Sequence, residues 1–319
     1  MRVAVCAYSE VGHVCLGTLL ELGVDVALVV THRDAPGEKQ WFGSVRERAH
    51  AAGVPVIAPD DVNAPEPLAA LAAARPDFLF SFYFRQMLGR PALAVAPRGA
   101  LNLHGSLLPR YRGRAPVNWA LARGEARTGV TLHYMDEKPD HGDIVARRAV
   151  AIERDDTALS LTRKLAAAGS ALLREVVPAL DAGTAPRVPQ DHARASYFGG
   201  RRPEDGRIDW RLGAESIRNL VRAVTDPWPG AFSWFRDEKL MIWWAEAGAL
   251  AGPRAPGEIW LDDAGTPRVA TGAGALALSR VGREGQTAQD GAAWARAERV
   301  RPGERFALSH GETRRARAS

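Results

Sequence analysis

The sequence is poor in groups that mark several common protein classes. It has no run of about 18 apolar residues, which excludes an ordinary membrane-spanning helix. The only cysteines, Cys6 and Cys15, form no C-x-x-C pair, so neither a disulfide framework nor a zinc ribbon is indicated. Both cysteines lie in apolar patterns, and we expect buried free thiols in a reducing compartment.

Nucleotide-binding fingerprints are absent as well. The turn after the first predicted strand, Tyr8–His13, does not read G-x-G-x-x-G, and the chain holds no Walker A sequence. These absences disfavour a nicotinamide-dependent or P-loop enzyme. The run Met1–Cys6 is strand-like and lacks the pattern of a signal peptide, so we expect a cytoplasmic protein.

Lysine is scarce although the chain is basic. Only four of the 42 basic residues are lysines, at positions 39, 138, 164 and 239, and the net charge is +5. Such an excess suits an anionic substrate or nucleic acid. Part of it belongs to residues 307–319, which we expect to be a disordered basic tail. Charge alone therefore decides little about partners.

Strand and helix patterns alternate through the first half of the chain. This alternation predicts an α/β fold with a doubly wound, Rossmann-like, mostly parallel sheet. The expected strands are Arg2–Tyr8, Val24–Thr31, Val54–Ile57, Asp77–Phe82, Gly99–His104, Thr128–Met135 and Ile144–Ile152. The expected helices are Val14–Leu22, Ser44–Ala52, Pro65–Ala74, Pro116–Ala122 and Asp156–Val177, the last ending before Pro178.

The composition changes after a stretch without periodicity at residues 182–200. Short strand patterns with turns between them follow a helix at Ala214–Val224; they are Ala231–Phe235, Lys239–Ala247, Gly257–Leu261 and Leu276–Val281. We therefore expect a domain at 1–203 that holds the chemistry and a smaller, mostly β, barrel-like domain at 204–306.

One stretch, Gly99–Pro109, combines a strand with polar residues at its end. Asn102 and His104 share a strand face, and Gly105 then breaks the strand. Ligands bind at the carboxyl ends of strands in open α/β sheets. A histidine beside an asparagine at such a place is more often structural than catalytic. A basic loop at 110–114 and the acidic turn at 140–143 favour an acid/base site instead.

Two neighbouring stretches leave alternatives open. The loop Thr31–Lys39 carries Arg33 and Lys39 and suits either a phosphate or a solvated turn. The aromatic run Ser81–Arg85 suits one wall of a slot for a flat ring, but core packing is the stronger interpretation.

The spaced residues of this region resemble the signature of folate-dependent formyltransferases. The matching pattern is Asn102-Leu-His104-Gly-Ser106-Leu-Leu108-Pro109-x-x-x-Gly113, followed by Asp140-x-Gly142. Within that family the likeness is fullest to the formyltransferase region of bifunctional polymyxin-resistance enzymes, which act on UDP-4-amino-4-deoxy-L-arabinose. It extends over about residues 1–306 and includes Thr31–Lys39, Ser81–Arg85, Tyr111–Pro116, Phe198–Pro203 and Val221–Phe232.

The resemblance implies a formyltransferase fold and a set of site residues. Asn102, His104 and Asp140 would be catalytic, with an ionised Asp140 favouring the protonated imidazole. The residues implied for 10-formyltetrahydrofolate are Gln86, Met87, Leu88, Arg114, Asp136, Glu137, Lys138, Pro139 and Asp140. Those implied for the amino-sugar nucleotide are His32, Lys39, Tyr111 and Arg112. No metal is implied.

The same resemblance implies partners and leaves other functions to be tested. The expected substrates are the folate and a UDP-amino sugar used in lipid A modification, with no nucleic acid and no membrane insertion. A homo-oligomer is compatible with the sequence, and any decarboxylase activity would reside on a separate chain. The alternatives are methionyl-tRNA formyltransferase, formyltetrahydrofolate hydrolase and a non-catalytic nucleotide-sugar binding protein. Arg114 and the absence of a lysine-rich insertion weigh against the tRNA enzyme.

Overall fold

The computed structural model describes residues 1–33 and 40–307. Within this part the chain forms two compact units, and the first comprises Met1–Val117, Ala126–Ile152 and Ser160–Gly200. The strands up to residue 200 are β1 Arg2–Ala7, β2 Asp25–Val30, β3 Val56–Ile57, β4 Phe78–Phe82, β5 Gly99–His104, β6 Arg112–Gly113, β7 Arg127–Tyr134, β8 Ile144–Ala151 and β9 Tyr197–Phe198. The helices are α1 Ser9–Glu21, α2 Val45–Ala51, α3 Pro65–Ala73, α4 Arg90–Leu93, α5 Pro116–Ala122 and α6 Ala158–Ala182.

Seven of these strands form one sheet, in the order β3-β2-β1-β4-β5-β7-β8. The pairs from β3 to β5 are parallel, whereas β7 runs antiparallel to both β5 and β8. Every residue of β1 after Arg2 is buried, as expected for a strand covered on both faces. The predicted mostly parallel α/β sheet is confirmed. Cys6 and Cys15 are buried free thiols, also as expected.

The structure corrects the predicted end of the longest helix. Helix α6 passes through Pro178 and ends at Ala182. Proline cannot donate to the carbonyl of Arg174, but both residues are exposed, so water can reach the carbonyl left without its helical donor. Leu180 beyond the proline is buried, and its burial favours one further turn of helix.

The second unit comprises Asn118–Glu125, Glu153–Leu159 and, within the described part, residues 201–307. Its strands are β10 Ala231–Phe235, β11 Glu238–Gly248, β12 Ile259–Leu261, β13 Pro267–Ala270, β14 Ala275–Arg283 and β15 Gln289–Asp290, and its further helices are α7 Ala214–Val224 and α8 Gly291–Ala297. The sheet is antiparallel in the order β10-β11-β14-β13-β12, with β15 on β14. The mostly β C-terminal domain is confirmed, although the sequence patterns missed β13, β15 and α8.

The two edges of this sheet are joined by the end of the described chain. Ala307 N–H donates to the carbonyl of Trp234 in β10, and Phe306 N–H donates to the carbonyl of Gly257, just before β12. The Phe306 ring stacks on Trp210, with ring centroids 5.0 Å apart. The segment therefore closes the sheet into a barrel-like form around an aromatic core. None of the helices described at 1–33 and 40–307 is long and apolar enough to cross a membrane.

Candidate active site

Strand β5 ends at the centre of the candidate active site. Asn102 pairs with His133 of β7 across the antiparallel ladder, which places their side chains on one face. The loop after β7 brings in Asp140. Its Oδ1 lies 3.3 Å from His104 Nδ1 and accepts a hydrogen bond of 3.3 Å from Asn102 Nδ2. Of the three residues predicted to be catalytic, Asn102 and His104 therefore both contact Asp140.

The Asp140 carboxylate is held in its ionised form. Burial by itself would raise the pKa of Asp140, but the nearby His104 and the Gly113 N–H favour the anion, and the pKa lies well below its usual range. Gly113 N–H donates to Oδ2 over 2.8 Å. Asp140 itself has φ 53°, in the left-handed region. The ionised Asp140 side chain, 9 % exposed, therefore faces the buried ring of His104.

The His104 ring has an acceptor at each nitrogen. Nδ1 faces Asp140, and Nε2 lies 2.7 Å from the carbonyl oxygen of Tyr111. A neutral imidazole carries one N–H, whereas the imidazolium carries two. Because both partners are acceptors only, the arrangement suits the doubly protonated ring. Such a ring is a strong hydrogen-bond donor and an acid.

His133 belongs to the site although sequence reasoning missed it. It is buried, its Nδ1 lies 2.8 Å from the carbonyl oxygen of Tyr134, and its Nε2 lies 3.2 Å from Asn102 Nδ2 and 3.5 Å from Asp140 Oδ1. In the neutral tautomer with a proton on Nδ1, Nε2 accepts from Asn102. His133 then fixes which way the Asn102 amide points. The signal that would have found it is its register opposite Asn102.

The residues predicted for the acceptor lie in different surroundings. The Tyr111 ring is buried and stacks on Phe198, with ring centroids 4.8 Å apart. Arg112 is 1 % exposed, and its guanidinium donates to Gln190 and Tyr197. His32 accepts a hydrogen bond from the Arg85 N–H, and this contact involves none of the three residues predicted to be catalytic. Lys39 lies outside the described residues.

The residues predicted for the folate lie on two loops. Leu88 is buried in the same apolar cluster as Met135, which directly precedes the loop at 136–140, and Arg90 approaches Glu137 at 3.7 Å. The two loops are therefore adjacent. Met87 is 59 % exposed, so its side chain is open to contact with a ligand.

Other members of the set have structural contacts. Gln86 bonds through its amide to the Val62 N–H and the carbonyl of Pro59. Arg114 is exposed, and its N–H donates to Phe198.

The acidic loop is ordered by its own side chains. Asp136 Oδ1 accepts from the Lys138 N–H, and Oδ2 lies 2.6 Å from His141 Nδ1. Burial alone would raise the pKa of Asp136, but the His141 hydrogen bond and the Lys138 N–H lower it below its usual value. Pro139 is exposed between Lys138 and Asp140. Among the described residues no cluster of side chains could hold a metal ion.

Comparison with known proteins matches both parts of the chain to one family. The family model described as formyl transferase matches residues 10–177, and that described as formyl transferase, C-terminal domain, matches residues 201–299. Among solved structures, the fold is similar to an N-formyltransferase from Helicobacter canadensis solved with folinic acid and dTDP-3-aminofucose. The TM-score is 0.69 at 18 % identity, covering 87 % of this chain and 99 % of that one.

Two further structures share the fold. WlaRD, a sugar 3N-formyl transferase solved in the presence of dTDP and 5-N-formyl-THF, gives a TM-score of 0.65 at 16 % identity, covering 90 % of this chain and 99 % of that one. HypX from Aquifex aeolicus gives 0.65 at 18 % identity, covering 95 % of this chain but only 48 % of that longer one. The first family model spans more than half of the chain and includes Asn102, His104 and Asp140. The chain is therefore an enzyme of the formyl transferase family.

Proposed function

We propose that the enzyme transfers a formyl group from 10-formyltetrahydrofolate to the amine of a nucleotide-linked amino sugar. UDP-4-amino-4-deoxy-L-arabinose is the first acceptor to test. The observation that carries formyl transfer is the contact of Asn102 and His104 with one buried, ionised carboxylate, that of Asp140. This arrangement supplies an amide donor, an acid and a counterion at one strand end.

The chemistry follows from those three groups. The acceptor amine attacks the formyl carbon, and the carbonyl oxygen becomes negatively charged in a tetrahedral intermediate. Hydrogen bonds from Asn102 and protonated His104 would stabilise that oxygen, and one such donor is worth about 2.7–4 kcal/mol in the transition state. The bond from the formyl carbon to N10 of the folate then breaks. One proton leaves the acceptor nitrogen and one reaches N10, so the products are a formamide and tetrahydrofolate.

His104 is the group proposed to donate the proton to N10. In the structure its Nε2 is engaged by the Tyr111 carbonyl, so that N–H must turn toward the substrate during the reaction. Asp140 would keep the ring charged until transfer, because an adjacent anion favours the imidazolium. The carboxylate acts through charge and needs no protonation of its own.

A folate donor is supported by the two adjacent loops and by the relatives. The exposed Met87 follows β4, which runs parallel to β5, and the 136–140 loop carries Asp140 to His104. The Helicobacter canadensis relative was solved with folinic acid, and WlaRD with 5-N-formyl-THF. At below 20 % identity these likenesses concern the fold, so the donor stays part of the proposal.

The sugar acceptor rests on sequence stretches rather than on geometry. The Tyr111–Pro116 run and the Thr31–Lys39 loop resemble the UDP-amino-sugar enzymes, and with four lysines the chain lacks a lysine-rich insertion for tRNA. A product of this kind would serve lipid A modification and polymyxin resistance. Both of these finer assignments belong to the proposal.

A panel of acceptors tests the proposed function. The enzyme and 10-formyltetrahydrofolate would be incubated with UDP-4-amino-4-deoxy-L-arabinose, dTDP-linked amino sugars and methionyl initiator tRNA, and mass spectrometry would detect the added formyl group. We expect formylation of a nucleotide-linked amino sugar and none with His104→Ala. Formylation of the tRNA with every amino sugar inert would refute the acceptor. Donor cleavage with water alone would instead indicate a hydrolase.

A further inference from the structure

Arg112 is a buried cation whose contacts are all to neutral groups. Its Nε and Nη2 donate to Gln190 Oε1 over 3.2 and 2.6 Å, Nη1 donates to the Tyr197 hydroxyl, and Nη2 lies 2.9 Å from His192 Nδ1. The ion pairs within the described part of the chain include none to Arg112. Burying a charge without a counterion is costly, and the hydrogen bonds to these neutral groups offset part of that cost.

Gln190 uses its whole amide in this cluster. Oε1 accepts the two hydrogen bonds from Arg112, while Nε2 donates to the carbonyl of Asp140 over 3.0 Å and to that of Gly142 over 2.7 Å. The side chain is 6 % exposed. A flipped amide would place its NH₂ group against the guanidinium, so Arg112 fixes the amide orientation.

The segment that Gln190 holds is the one that presents the carboxylate to His104. Asp140 has φ 53°, and a Cβ at Gly142 would lie 2.1 Å from the Tyr134 carbonyl oxygen. Such a backbone persists only where its surroundings fix it. We propose that Arg112 and Gln190 are a positioning pair that clamps the 140–142 backbone and so directs the Asp140 carboxylate at His104.

This role differs from the direct acceptor contact that the sequence suggested for Arg112. Each of its three guanidinium nitrogens already has a protein partner, and the residue is buried. Arg112 therefore acts on the reaction through Gln190 and Asp140. The kinetic part of the inference rests on the proposed function, whereas the clamp itself does not.

Gln190→Glu is the variant that separates the two ends of the clamp. The new carboxylate still accepts from Arg112 but cannot donate to the carbonyls of Asp140 and Gly142. Asn118→Asp is the matched control, because Asn118 is also a buried amide that donates to one backbone carbonyl, that of Ala223. Arg112→Lys keeps the charge but loses the fork, and it serves as a second variant if the first folds poorly.

The readout that needs no substrate is amide hydrogen exchange at Gly113, measured by NMR. Its N–H donates to Asp140 Oδ2, whereas the neighbouring Arg114 N–H donates to Phe198. In Gln190→Glu we expect Gly113 to exchange at least about tenfold faster while Arg114 keeps its protection. Arg112→Lys should act in the same direction. Unchanged exchange at Gly113 in both variants would overturn the clamp, whatever the activity.

The kinetic readout is a double-mutant cycle with Asp140→Asn. Gln190→Glu should lower kcat by about tenfold or more. In the Asp140→Asn background, Gln190→Glu should lower kcat by less than roughly a further threefold. The effect of Asn118→Asp on kcat should instead add independently to that of Gln190→Glu or of Asp140→Asn. Fully additive losses would overturn a role through Asp140. Faster Gly113 exchange with normal kcat would leave the clamp standing and refute the proposed use of Asp140 in the reaction.

Discussion

At the scale of single residues, the site depends on one carboxylate that serves several donors. Asp140 accepts from Asn102 and from the Gly113 N–H and lies beside His104 and His133. Burial opposes its charge, whereas the nearby His104 and the Gly113 N–H favour it, and the balance is a lowered pKa. Removing the charge should therefore affect the neighbouring rings more than the fold.

Asp140→Asn tests this dependence. It keeps the size of the side chain but removes the anion that favours protonated His104, so kcat should fall by at least about tenfold, within the range typical of general acid catalysis. His104→Ala should be at least as impaired. The double variant should cost little more than the worse single one, because groups that act as a unit are non-additive. Steady-state rates of the three variants decide it, and an Asp140→Asn enzyme with normal kcat would contradict the pairing.

The two cysteines give a prediction about the core. Burial raises the pKa of the Cys6 thiol to about 12 and raises that of Cys15 as well. Native protein at pH 8 should therefore resist a thiol reagent such as Ellman's, and both thiols should react in denaturant. Above the unfolded thiol pKa of about 8.5 the unfolded chain releases protons that the native state keeps, so the free energy of unfolding falls as pH rises. Rapid labelling of the native protein would contradict the burial.

At the residue scale, the sequence predicted which side chains share a strand face, because that follows from periodicity. Alternation along β5 placed Asn102 and His104 on one face, and a loop motif supplied Asp140. Gln190 was missed because it lies in a stretch without periodicity and acts on residues 48 and 50 positions earlier. Its importance depends on a long-range fold that no local pattern encodes.

At the scale of elements, glycine and proline decide several local geometries. A Cβ at Gly142 would lie 2.1 Å from the Tyr134 carbonyl oxygen, whereas one at Gly199 would have nothing within 4 Å. Gly142→Ala must shift the backbone that Gln190 holds, so it should cost about 1–3 kcal/mol of stability and lower kcat with it. Gly199→Ala should stay within about 0.5 kcal/mol. Urea unfolding and steady-state rates of both variants test this, and equal behaviour would contradict it.

Pro178 gives the second prediction at this scale. It lies inside α6 and is exposed, so Pro178→Ala should restore a helical hydrogen bond and raise the free energy of unfolding by about 1–3 kcal/mol. Pro65→Ala is the control, because Pro65 begins α3, where proline is favourable. Thermal unfolding of the two variants is the measurement. No gain for Pro178→Ala over Pro65→Ala would show that the helix already accommodates the proline at no cost.

Element bounds were predictable where an apolar pattern met a clear end. Helix α7 at Ala214–Val224 and strand β10 at Ala231–Phe235 agree with the expected bounds residue for residue. The pattern failed at Pro178 because burial of Leu180 outweighs a local helix breaker, and it missed β13 because four residues with little alternation carry too short a signal.

At the scale of the whole molecule, a linear boundary near residue 203 divides the chain less cleanly than the contacts do. The second compact unit includes Asn118–Glu125 and Glu153–Leu159. Asn118 donates to the carbonyl of Ala223, and buried Arg218 donates to the carbonyl of Arg154 and bonds Asp155. These segments belong by contact to a unit whose remainder follows much later in the chain.

A chain ending at residue 203 tests how far the chemistry depends on that later part. Every residue proposed to bind folate or take part in the reaction precedes the cut, so the shortened protein should bind folate within about tenfold of the full chain when it remains folded. Its melting temperature should fall, because Asn118 and the carbonyls at 153–156 lose partners such as Ala223 and Arg218, and a buried polar group left unpaired costs about 1–3 kcal/mol.

Isothermal titration with 5-formyltetrahydrofolate, circular dichroism and thermal melts supply the measurements. If the shortened chain aggregates, Asn118→Leu in the same background removes one of the exposed amides and allows the binding test to be repeated. A well-folded shortened chain without folate affinity would contradict the placement of the folate site in residues 1–203.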